Sequence, residues 1–95
     1  MKLNADKSIR QVQRHHVAQH AHQAIWDRRV NPNHAVLSVE RDPDRPEAVI
    51  LHVNSGGNAI ACRNHFQRAG YRVEDTDYDP FADGNYGVRL RILPK

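Results

Sequence analysis

Seven of the 95 residues are histidine, a high share for so short a chain. His16 and His20 stand four apart, so on a helix they share a face at metal-ligand spacing. His15 and His22 fall on a different face, near Trp26. A zinc site needs a third or fourth ligand and groups that orient the first ones. His34, His52, Cys62 and His65 are suitable by type, but no spacing brings them to His16 and His20. The metalloprotease signature is missing, because Val17, Ala18 and Gln19 stand between the two histidines. The expectation is no metal and no cofactor. Clustered histidines would instead make association pH-sensitive below about pH 6.5.

Nucleophilic chemistry has little basis. Cys62 falls on the buried stripe of a helix pattern, where a thiol is usually inert. Ser8, Ser38 and Ser55 lie in no motif with a base and an orienting acid. The chain is read as non-catalytic. The turn Ser55-Gly56-Gly57-Asn58 opens a helix, and its backbone N–H groups and helix dipole make a candidate anion loop for a small regulatory ligand. No Gly-Lys-Ser/Thr follows and no G-x-G-x-x-G run exists, so the plainer reading is a turn with Asn58 as N-cap.

Two charged stretches suit partners. Arg89 and Arg91 alternate on one predicted strand, side by side on a face that also carries Val36, Ser38, Glu40, Ile50, His52, Arg72 and Glu74. Paired arginines can grip phosphates. Sheet readers of single-stranded RNA also need exposed aromatics, and this face has none by phase. The second stretch, residues 74–86, holds Glu74, Asp75, Asp77, Asp79 and Asp83 together with Tyr78, Phe81 and Tyr86. Pro80 and Tyr86 occupy positions where a calcium loop needs Gly and Glu. Exposed, its aromatics would anchor a protein partner; folded back, they would cap the core.

Size and composition bound the frame that positions these residues. Ninety-five residues make one domain. A single cysteine excludes an internal disulfide and fits a reducing compartment or a chain indifferent to redox. There is no signal-like start and no run of ~20 apolar residues, so the expectation is a cytoplasmic protein (host cytoplasm if virus-encoded). Residues 1–34 are basic, residues 74–87 acidic, and the formal net charge is +3.

Residues 1–7 read as a flexible tail and 8–95 as a single α+β domain. Ser8 can cap a helix over 9–30, whose apolar stripe is Val17, Ala21, Ala24 and Ile25. Alternation predicts strands over 35–41 (Ala35, Leu37 and Val39 inward), 48–53 (Val49, Leu51 and Val53), 71–75 (Tyr71 and Val73) and 87–93 (Val88, Leu90 and Ile92). A second helix over 58–69 buries Ala59, Cys62, Phe66 and Ala69 and stops at Gly70. The order α-β-β-α-β-β implies a two-layer sandwich, with two helices on one face of a four-stranded mixed or antiparallel sheet. A right-handed crossover lets the last strand enter between the second and third, a ferredoxin-like arrangement that is circularly permuted.

The leading functional expectation is a small interaction module acting through protein–protein contacts or self-association. A nucleic-acid-binding regulator that uses Arg72, Arg89 and Arg91 comes next, and a small-ligand regulatory domain after it.

Overall fold

The structure is a computed structural model that describes residues 11–76 and 87–95. In chain order the elements are α1 (Arg14–Trp26), α2 (Pro32–Ala35), β1 (Val36–Arg41), β2 (Val49–Val53), α3 (Gly56–Arg68), β3 (Arg72–Asp75) and β4 (Val88–Leu93). They form a small α+β domain with one four-stranded sheet of order β1-β2-β4-β3. Every neighbouring pair is antiparallel. The last strand does enter between the second and third.

The α1 stripe is as patterned: Val17, Ala21, Ala24 and Ile25 are its buried residues. Its start differs from the expectation. Residues 11–13 are not helical, and Gln13 is extended with no side-chain cap. Val12 is buried, and its N–H donates to the Glu47 carbonyl at 3.0 Å, so a long-range pairing outcompetes another polar helical turn. Ser8 lies outside the described residues. The helix also ends earlier than predicted. N–H groups of Arg28 and Arg29 bond back to Ile25 and Trp26, and Arg29 takes the left-handed conformation (φ 63°). Asn31 then caps the Asn33 N–H and Pro32 opens α2, a single turn that takes Ala35 out of the predicted first strand.

One register shift corrects the β1 phase. Val36 pairs with Val53, but Ser38 pairs with His52, so a bulge lies between them. Val36 therefore packs against the core, and Leu37, expected inside, is 41% exposed. The other strands alternate as read. Val49, Leu51, Val53, Leu90 and Ile92 are fully buried, with Val39, Tyr71, Val73 and Val88 packed against them.

Ser55, not Asn58, caps α3: its Oγ accepts the Asn58 N–H at 3.2 Å, and the helix begins at Gly56. Ala59, Cys62 and Phe66 are buried as expected. Ala69, the last residue of that stripe, is only half-buried. The helix closes with Gly70 at φ 99°. There Tyr71 N–H bonds to the Phe66 carbonyl and Gly70 N–H to Gln67, a Schellman stop. α1 packs on α3, β1 and β2, while α3 packs on β2, β3 and β4. Gly87 leads into β4 at φ 82°, where a Cβ would collide with the Val53 carbonyl. That close approach lets β4 lie against β2.

Candidate functional site

The outer side of α1 and the edge of the sheet form one continuous surface. His15, Ala18, Gln19, His22, Gln23 and Trp26 recur at helical spacing along a shallow groove that Pro32 closes. Trp26, the only tryptophan of the chain, is 64% exposed at its end. A second depression shares His15 and Ala18 and runs through Gln13 and Arg14 to Val39 and Arg41 of β1. β1 is the first strand in the sheet order, and among the described residues no strand pairs with its outer side. Along such an edge, alternate residues present N–H and C=O groups outward. The helix phase places His15 and His22 near Trp26, and the structure does so. That α1 runs beside the unpaired strand at His15 does not follow from the strand order, because it depends on how α1 and α3 divide the sheet between them.

The face carrying Arg89 and Arg91 is differently arranged from the sequence picture. Arg91 Nε donates to Asp42 Oδ2 at 2.6 Å and its Nη1 to Glu74 Oε1 at 3.3 Å. Arg45 bridges Glu74 at 3.5 Å and Glu47 at 3.3 Å. Asp42 is 2% exposed and also accepts the Asp44 N–H at 2.9 Å. Burial pushes its carboxyl up, but the Arg91 and Asp44 hydrogen bonds outweigh it, so Asp42 titrates below its ordinary value. The same hydrogen bond, donated to Asp42, raises Arg91. Ala48 and Leu93, one residue beyond the Val49–Ile92 pair on each strand, are fully buried, so this end of the face is closed. Arg91 is thus committed to an ion-pair network. Arg89 stands opposite His52 across the β2–β4 pair, beside a shallow depression with Ser38, Glu40 and Ile50. Arg72 is exposed, with its Nε 3.5 Å from the Pro94 carbonyl. Tyr78, Phe81 and Tyr86 lie outside the described residues.

The loop before α3 draws in a residue that the sequence did not connect to it. Arg28 Nη1 donates to Asn58 Oδ1 at 2.5 Å, and Asn58 Nδ2 donates to Asn54 Oδ1 at 2.7 Å. The Arg28 guanidinium lies across Gly57, where a Cβ would stand 3.0 Å from Nη2. Ser55 and Asn58 therefore satisfy each other and their neighbours, with Asn58 buried.

His20 meets His65 rather than a metal-binding partner set. Their Nδ1 and Nε2 atoms are 2.9 Å apart, joining α1 to α3. The His20 ring also packs on Phe66 and Tyr71 at 5.5 and 5.6 Å between centroids, and Lys95 Nζ lies 5.0 Å from the Tyr71 ring. Burial, then the charges of His65, Lys95 and His16, hold His20 below its ordinary value. Among the described residues no group of three or more His, Cys, Asp or Glu gathers to hold a metal ion. Cys62 is buried, and that burial pushes its thiol up to about 11 despite nearby Arg28. No described helix is long and apolar enough to cross a membrane.

Comparison with protein-family models, with curated proteins and with solved structures finds no match to this chain.

Proposed function

We propose that this chain is a small, non-catalytic interaction module of the cytoplasm, acting through protein–protein contacts or self-association. The observation that carries the reading is the exposed Trp26 at one end of the α1 groove, a groove that shares His15 and Ala18 with the depression along β1, the strand whose outer side no described strand covers. Tryptophan is the residue type most enriched among binding anchors, and its indole loses little conformational freedom on contact. The high thiol pKa of buried Cys62 supports a non-catalytic role. The strand order β1-β2-β4-β3 supports reading the frame as a two-layer, ferredoxin-like sandwich whose first strand has moved to the end of the chain.

Two measurements test the proposal together. Sedimentation across the micromolar range reads self-association, and selection from random-peptide and folded-domain display libraries reads partner binding. Association or binding that is lost in Trp26→Ala is expected. A chain that stays monomeric at high micromolar concentration and selects no binder overturns the reading.

A further inference from the structure

The groove along α1 and β1 carries arginine charge and no carboxylate. Arg14, His15, His22 and Arg41 border it, and no Asp or Glu lines either depression. Arg14 makes no ion pair among the described residues. The first turn of α1 compounds this bias, with no acidic residue and no side-chain cap. The two ends differ in character. Arg14 and Arg41 both line the depression at the end of β1, where Arg41 Nη1 also donates to the Pro46 and Ala48 carbonyls, while Trp26 and Pro32 line the groove at the far end of α1. A helix running alongside an unpaired edge is the geometry in which extended peptides add as a strand: main-chain hydrogen bonds bind, and alternate side chains select.

We infer that the β1 edge and the adjoining α1 groove take up an extended acidic segment of a partner protein, by strand addition, with Trp26 as its apolar anchor. The inference rests on the interaction-module reading and names its partner class. Acidic side chains of the segment lie at the Arg14–Arg41 end, and an apolar side chain packs on Trp26. Nucleic acid would meet the cations but cannot continue a β-ladder. The bulge at Leu37 limits the regular edge to Ser38–Arg41, which restrains indiscriminate edge pairing and gives side-chain contacts a larger share of the selection.

The single tryptophan makes the test direct. Blocked peptides of about eight residues that alternate valine with glutamate, or valine with lysine, are titrated into the full chain while Trp26 emission is followed. Amide NMR maps the contact. The glutamate series is expected to shift Trp26 emission to the blue and to perturb Val36–Arg41 amides; the lysine series is not. N-methylation of alternate peptide nitrogens discriminates the mode, because in a paired strand one parity abolishes binding and the other leaves it. Arg14→Glu, an exposed change that spares the core, is expected to weaken binding by about tenfold. Equal binding of both series, equal effects of both methylation parities, or displacement by a mixed-sequence oligonucleotide overturns the inference. So does the absence of any binding by the glutamate series. If in that case Trp26-dependent self-association or selection of other peptides persists, the interaction-module reading stands and only the assigned partner class falls.

Discussion

Arg91→Ala separates the two roles that an arginine on this face can have. As a phosphate contact it is dispensable for folding. As the partner of Asp42 it is not, because Asp42 is 2% exposed and its carboxylate depends on the 2.6 Å bond from Arg91 Nε. Removing one member of a buried ion pair costs about 3–5 kcal/mol. Two features lower this: Asp42 keeps the Asp44 N–H at 2.9 Å, and the Arg91 side chain is 21% exposed. The bond to Glu74, whose side chain is 43% exposed, adds little. The expected loss is therefore about 2–4 kcal/mol, a large part of the ~5–15 kcal/mol that holds a domain together.

Urea unfolding followed by far-UV circular dichroism at neutral pH reads this loss. Arg72→Ala, on the same face but exposed, is the control and should stay within about 0.5 kcal/mol of the parent. Adding Asp42→Ala to Arg91→Ala should cost much less than the two changes singly, since the stranded carboxylate goes with it. The pH dependence has a definite sign. The folded Asp42 titrates below its unfolded value. Its contribution is thus complete above the ordinary carboxylate range and is lost as pH falls through that range toward the folded value. Arg91→Ala should flatten that acid limb. An Arg91→Ala protein as stable as Arg72→Ala refutes the structural role and returns Arg91 to the ligand-binding candidates.

Other perturbations probe the remaining contacts. His20 titrates below its ordinary value when folded, so stability should be complete above about pH 7 and fall as pH drops through the free-histidine range. Melting temperature against pH should show this limb, and His20→Phe should remove it; a parent curve flat in that range contradicts the His20–His65 packing. Phe66→Ala, which empties a fully buried site, should destabilise by about 3–5 kcal/mol in urea unfolding. Native Cys62 should react with thiol reagents only as fast as the domain opens; labelling as fast as in the urea-unfolded chain contradicts its burial.

What was legible in the chain is what repeats at a fixed period. The Val17, Ala21, Ala24 and Ile25 stripe and the alternation of Val49, Leu51, Val53, Leu90 and Ile92 needed only local phase. The features that failed are set at long range or by one extra residue. The bulge at Leu37 exchanges the faces of two residues without any glycine or proline to signal it. The α1 start depends on Val12 reaching Glu47. Asp42 and Arg91, 49 positions apart, meet only because β4 joins β2 and the intervening turn closes on it. His20 and His65, 45 apart, meet only because α1 packs on α3. The candidate site was half visible: the α1 side follows from helix phase and the outermost place of β1 from strand order, but their meeting depends on how α1 and α3 divide the sheet.

The position of β4 also orders events during synthesis. β2 and β3 flank a gap that β4 alone fills. Until residues 88–93 leave the ribosome, β2 has β1 on one side only and β3 has no strand beside it, so neither can settle. The helices can form locally before then, but sheet closure waits for nearly the whole described chain. A ribosome that stalls before β4 therefore carries a nascent polypeptide with sticky edges, the species that chaperones shield and proteases remove.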